Sequence, residues 1–297
     1  MPIMNVGGMQ LFKVSSSDAS EKILPKSKEI TLRLIVIYLI LTFLCAFFYK
    51  IFGMNFFDSL THSMTTIATG GFSTFNNSIL GFESNIVSWT IIIFMFLGAT
   101  NFSLHFLLIA KKSFEYFNDT EFKFYVSTIL FFFFLTFINI SSVFGYTFQN
   151  ITASLFNTMS LLTTTGYTLY DYEVWPPLSQ LVVFLMFFIG GMAGSTTGGI
   201  KLIRTILVVK YIKTEITRML HPKGLHHVKI GNDVIDDEIV RSTLGFYLFY
   251  ILIFVACALT ISMNGLDMIS SLAISLLSTG TAYWLYIFLL ERLGIRL

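Results

Sequence analysis

Charge is what this chain has least of. Only 12% of its 297 residues are Asp, Glu, Lys or Arg, against about 25% in a soluble domain. Whole stretches carry none: 34–49, 51–57, 59–82, 84–110, 124–170, 174–200, 242–266 and 268–290. A helix needs about 20 mostly apolar residues to cross the hydrocarbon core of a bilayer. The pattern therefore excludes a soluble enzyme or a nucleic-acid-binding module and implies an all-α integral membrane protein. Cysteine is nearly missing as well. Cys45 and Cys257 sit alone in separate apolar runs, which excludes a disulfide framework. No carboxylate interrupts the long apolar runs, and a proton pump or exchanger usually keeps one there. No nucleotide-binding loop, dinucleotide fingerprint or catalytic triad is present, and Met1–Gln10 lacks the charged start and cleavage site of a secretory leader.

Run length predicts five full spans, at about 32–52, 86–110, 124–146, 177–204 and 242–263. The stretch 124–170 is too long for one span and fits a span plus a re-entrant segment. The stretch 58–74 is too short and too polar to span, and fits a half-helix that dips in and returns. Loop charge orients this layout. Sixteen of the 19 basic residues fall in 1–33, 111–123 and 201–241. The positive-inside rule puts those segments, and the N-terminus of the chain, in the cytoplasm.

Within this layout one device is written twice. Leu60–Ser73 (LTHSMTTIATGGFS) aligns without gaps on Leu155–Thr168 (LFNTMSLLTTTGYT). Each copy is a short, weakly polar helix pattern ending in small residues, glycine and an aromatic, and apolar runs flank it. Polar backbone of this kind is tolerated at membrane depth only inside protein or along a watery path. Inward-facing carbonyls from such stretches replace an ion's hydration shell, glycine permits the dihedrals this needs, and the carbonyl end of the preceding half-helix favours a cation. Ala68, Thr69, Gly70 and Gly71 in the first copy, and Thr164, Thr165 and Gly166 in the second, are the candidate filter residues. A third partial copy, Gly265 to Gly280, offers Ser278 and Thr279. The expected metal is a transported cation at these carbonyls only, with no bound cofactor.

A second constellation lies inside 177–204. Gly190-Gly191-Met192-Ala193-Gly194-Ser195-Thr196-Thr197-Gly198-Gly199 holds five glycines in ten residues, each weakening a helix by up to about 1 kcal/mol relative to alanine. It reads either as a span broken into a gate below the filter or as close helix packing through small residues. The gate candidates are Gly190, Gly191, Gly194, Ser195, Thr196, Thr197, Gly198 and Gly199. His62 and His105, in apolar surroundings, read as packed and hydrogen-bonded histidines. An intramembrane protease pairing Ser195 with one of them is a rival that needs hydrogen-bond reach.

Phe188–Lys201, together with Thr163–Thr168, Trp175-Pro176 and Ala68–Thr74, resembles the potassium-translocating subunit of bacterial Trk-type uptake systems, the TrkH/TrkG/KtrB superfamily. The resemblance covers nearly the whole chain. It implies repeated span–half-helix–span units around one potassium path, with Gly71 and Gly166 as the selectivity glycines of the second and third repeats. Ala68, Thr69, Thr164 and Thr165 would offer carbonyls to K⁺, and 190–199 would be the gating loop. It also implies a homodimer in the bacterial inner membrane, contact with lipid, and a cytosolic nucleotide-binding regulatory subunit of the TrkA/KtrA type, with no nucleic acid.

The expected organisation is then 1–31, a cytoplasmic segment after a missing first repeat; 32–110, the second repeat; 111–123, a cytoplasmic loop; 124–204, the third repeat with the broken span; 205–241, a cytoplasmic loop; and 242–297, a truncated fourth repeat. Other readings stay open: a non-conducting remnant or accessory subunit, a sodium-conducting relative, and either channel-like flow or coupled symport.

Overall fold

The computed structural model describes residues 27–82, 84–111, 115–172, 174–222, 224, 226–231, 233–265 and 274–275. Its first helix, α1 (Ser27–Ile51), is apolar nearly all round and ends just before Gly53, whose φ is +110°. Asn55 then caps α2 (Phe56–Ile67) by accepting the Asp58 amide at 2.7 Å. The half-helix α2 folds back on α1, and the Tyr49 hydroxyl meets Thr66 Oγ1 at 2.8 Å between them. Helix α3 (Asn85–Ala99) packs on α2. It stops at Thr100, where the backbone turns extended (φ −85°, ψ 150°), and α4 (Phe102–Lys111) leaves at 97° to it. The expected single span at 86–110 is thus bent at Thr100–Asn101.

The same order recurs. Asp119 caps α5 (Thr120–Phe144) through the Phe122 amide at 2.6 Å, and Thr147 caps α6 (Phe148–Leu162) through the Asn150 amide at 3.2 Å. Gly145, with φ +84°, makes the turn between them. Helix α7 (Pro177–Met186) starts on a proline at its first position, where the missing N–H costs nothing. It ends well short of residue 204. Residues 190–199 contain no helix, and the chain resumes as α8 (Leu202–Leu220). Short strands β1 (Lys229–Ile230) and β2 (Asp233–Val234) precede α9 (Asp237–Ser262).

Among the described residues, three helical stretches are long and apolar enough to cross a membrane: Leu32–Ile51, Thr120–Phe144 and Asp237–Ser262; the bent pair Asn85–Ala99 and Phe102–Ile109 passes the same test jointly. Only 28% of the first two and 11% of the third is buried by the chain itself, so their apolar surfaces suit lipid or further protein. The chain divides into two compact units, Met1–Ile206 with Ile230–Asp233, and Leu207–Lys229 with Val234–Leu297. Every candidate site residue that the structure describes belongs to the first unit. Ser278 and Thr279 lie outside the described residues.

Candidate functional site

The two half-helices end in the same hydrogen-bond pattern, residue for residue. In the first, the amide of Ala68 donates to Met64 O (3.0 Å), Thr69 to Thr66 O (3.1 Å), and Gly70 and Gly71 both to Thr65 O (2.8 and 3.4 Å). In the second, Thr163 donates to Met159 O (2.9 Å), Thr164 to Leu161 O (2.9 Å), and Thr165 and Gly166 both to Ser160 O (2.9 and 3.2 Å). Even the side-chain tie recurs: Thr65 Oγ1 donates to Phe72 O at 2.9 Å, and Ser160 Oγ to Tyr167 O at 2.6 Å. Thr69 and Thr164 sit at φ +51° and +52°, a left-handed conformation uncommon for non-glycine residues. Gly71 and Gly166 follow at φ +67° and +81°.

The two stretches meet. A Cβ on Gly71 would lie 1.8 Å from Thr165 O, so only glycine fits against its counterpart's carbonyl. Tyr167, 2% exposed, reaches across to the first half-helix, and its hydroxyl meets Thr65 Oγ1 at 2.6 Å and Thr66 Oγ1 at 3.2 Å. Ala68, Gly70 and Gly166 are exposed in this chain, whereas Thr69 and Thr165 are buried. Behind the first stretch, the Asp58 carboxylate accepts Thr74 Oγ1 and Asn55 Nδ2, each at 2.6 Å, and fixes the segment that leaves it.

The glycine-rich segment forms a loop that touches both the half-helices and the α3–α4 bend. The Gly198 amide donates to Thr164 Oγ1 at 2.7 Å, which brings the gate candidates against a filter candidate. Thr196 Oγ1 lies 2.7 Å from Ile67 O, at the end of α2, and 2.9 Å from Gly98 O. The loop's neck closes on itself: the Gly190 amide donates to Ile200 O (2.6 Å) and Leu202 to Gly191 O (3.0 Å). A Cβ on Gly190 would come within 2.6 Å of both Gly198 O and Ile200 O, so close backbone approach, rather than helix–helix packing, is what the glycine there permits. Ser195 Oγ donates to Met192 O at 2.6 Å and meets Thr197 Oγ1 at 2.8 Å.

Two charged residues that sequence reasoning left in cytoplasmic loops grip this loop. Glu121, 2% exposed, accepts the Ala193 amide at 2.8 Å and the Ile203 amide at 3.1 Å on the one oxygen Oε1. Lys201 Nζ donates to Thr197 O at 2.6 Å and to Ser195 O at 3.3 Å. The flanking apolar runs end within three residues of Glu121 and next to Lys201, and that proximity was the available signal. The apolar runs themselves hold no carboxylate, but two that flank them, Asp58 and Glu121, are buried.

The histidines are engaged elsewhere. His62 Nδ1 donates to Asp58 O (2.9 Å) and Nε2 meets Ser73 Oγ (3.0 Å); His105 Nε2 donates to Leu97 O (2.9 Å) and Nδ1 accepts the Tyr116 hydroxyl (2.6 Å). Burial pushes that phenol up to about 12, so it keeps its donor proton. With all four ring nitrogens taken, neither histidine is placed to activate Ser195. Among the described residues no group of three His, Cys, Asp or Glu side chains is placed to hold a metal ion.

Comparison with known proteins gives this geometry a context. The family model described as TrkH, cation transport protein, matches residues 1–282. The Trk system potassium uptake protein TrkH of Vibrio parahaemolyticus is 33% identical over 278 residues, 91% of this chain and 57% of that protein. TrkH of Escherichia coli K12 is 34% identical over 281 residues, 92% and 58%, and TrkG of the same strain is 30% identical over 277 residues, 92% and 57%. The crystal structure of the potassium transporter TrkH from Vibrio parahaemolyticus superposes with a TM-score of 0.81 at 31% identity, over 92% of this chain and 60% of that one. The chain thus spans a little over half the length of the curated relatives it matches. Over that span, in sequence and in helical architecture, this chain belongs to the TrkH family of cation transport proteins.

Proposed function

We propose that this chain contributes to a Trk-type potassium path, in which backbone carbonyls hold the ion and the glycine-rich loop gates it. The family consists of transporters, not enzymes. The relatives named above are potassium uptake proteins, which supports K⁺ as the transported ion. One observation carries the reading furthest. Two strained, glycine-ended turns with identical hydrogen bonding abut each other, and Gly198 of the loop touches one of them at Thr164. Such turns are the type of backbone from which carbonyl filters are made.

Ala68, Thr69, Gly70 and Gly71 would form one wall of the filter and Thr164, Thr165 and Gly166 a second, with Ser278 and Thr279 as the start of a third. Gly190–Gly199 would close the path until it moves off Thr164. The division into repeats at 32–110, 124–204 and 242–297 follows the same reading. So do a homodimer in the bacterial inner membrane, a cytoplasmic N-terminus, and a nucleotide-binding regulatory partner on the basic loops 111–123 and 205–241.

The test is complementation of a bacterium that lacks its own potassium uptake, using the whole gene that contains this sequence. Growth at low potassium is expected for the native sequence. Gly166→Ser is expected to lose discrimination against sodium, because any side chain at φ +81° shifts the backbone that carries the carbonyls. Undiminished potassium selectivity in that variant would overturn the filter assignment.

A further inference from the structure

We propose that Glu121 is the positioning residue that couples the start of α5 to the glycine-rich loop and holds the loop in the conformation described here. Its Oε1 serves both ends of the loop, accepting Ala193 N at 2.8 Å and Ile203 N at 3.1 Å. Ile203 is the second residue of α8, a helix with no acidic residue in its first turn. The first amides of a helix lack internal partners and favour a negative group. Glu121 therefore acts as an N-terminal cap supplied by another helix. One oxygen ties the amide where the loop begins its excursion to the amide where the next helix begins.

The other end of this connection faces the cytoplasmic-side segment. Asp119 caps α5 two residues before Glu121. The phenol of Tyr116 is bonded to His105 on α4, and a Cβ on Gly231, at the tip between β1 and β2, would stand 3.3 Å from Thr120 Oγ1. A movement of the segment around 116–120 thus reaches the loop through the Glu121 side chain. The second carboxylate oxygen, Oε2, is sealed from solvent and is not hydrogen-bonded. Glutamine fits the same place, with its carbonyl on the two amides and its NH₂ at the unbonded position, whereas aspartate is one methylene too short to serve both.

Hydrogen exchange read by mass spectrometry on the full-length protein in detergent tests this without relying on transport. Exchange at the Ala193 and Ile203 amides is expected to rise at least about tenfold in Glu121→Ala, from the loss of two buried hydrogen bonds. It is expected to stay near the native rate in Glu121→Gln and to fall between in Glu121→Asp, with α1 amides unchanged throughout. Asp119→Ala, which loosens the first turn of α5, is expected to speed the same two amides several-fold. If Glu121→Ala does not fold, Glu121→Asp and Glu121→Gln carry the test, and equal rates in both overturn the proposal. Native rates in Glu121→Ala overturn it outright, and native rates in Asp119→Ala overturn the coupling to α5. The gating consequence rests on the function proposed above. If exchange responds as stated while cation flux through Glu121→Ala is unchanged, the positioning role stands and the gate assignment fails.

Discussion

Replacing Thr196 by valine removes one hydroxyl and leaves the side chain's shape. The hydroxyl hydrogen is shared between Ile67 O at 2.7 Å and Gly98 O at 2.9 Å. Gly98 O keeps a second donor, the Thr196 amide at 3.3 Å. Ile67 O does not: the amide four residues on, Gly71, is turned to Thr65 O instead. The substitution therefore loses one net hydrogen bond, about 1 kcal/mol, and strands a carbonyl at the end of α2 at a further cost of about 1–3 kcal/mol if it stays dry. Water reaching Ile67 O reduces the total, so about 1–3 kcal/mol is the expected loss of loop anchoring. If the loop gates, that is a shift of about 5- to 150-fold in the ratio of released to docked loop. Tracer flux of rubidium into proteoliposomes holding the full-length protein reads this directly. Basal flux in Thr196→Val should rise at least about fivefold, while Thr196→Ser, which keeps the hydroxyl, should stay near native. Native flux in a folded Thr196→Val, or equal flux in the serine and valine variants, would refute the reasoning.

Other expectations are simpler. Tyr167→Phe deletes the hydroxyl that bridges to Thr65 and Thr66; the detergent-solubilised protein should lose about 1–2 kcal/mol, seen as earlier aggregation on heating. Gly71→Ala should be far worse than the strain of a left-handed alanine alone, about 1–2 kcal/mol, because its Cβ would meet Thr165 O at 1.8 Å; a monodisperse protein with native potassium uptake would contradict that contact. Asp119→Ala removes the α5 cap and should cost about 1 kcal/mol, measured as a lowered midpoint of thermal inactivation.

The duplicated turn was legible because it is local. Its glycines, its short polar helix and its spacing all lie within a dozen residues, and the two copies repeat the same hydrogen bonds on aligned residues. The glycine-rich loop was legible as a break for the same reason, since its composition alone disfavours helix. Glu121 was not legible as part of the site. Its partners, Ala193 and Ile203, lie far along the chain, and in sequence it is one more charge beside a basic loop. Tyr167 was visible as the aromatic after a glycine, but nothing local announces that its hydroxyl crosses to the other half-helix.

The bend at Thr100–Asn101 belongs to this second kind, and it explains why the loop is where it is. The run 84–110 contains no proline, and its one glycine, Gly98, is insufficient to end a helix. Breaking it there strands Gly98 O and Ala99 O and frees the Phe102 amide. In apolar surroundings each of these needs a partner. The loop supplies all three: Thr196 donates to Gly98 O, Met192 to Ala99 O, and Gly194 O accepts Phe102 N at 3.1 Å. The loop in turn lacks helical partners for Met192 and Thr196, and the bend supplies those. Two interrupted helices thus satisfy each other, and neither break is stable facing an intact helix. If the loop gates as proposed, its movement off Thr164 must either carry the α3–α4 bend with it or replace those three bonds with water, so opening is expected to be a concerted shift of both segments or to admit water between them.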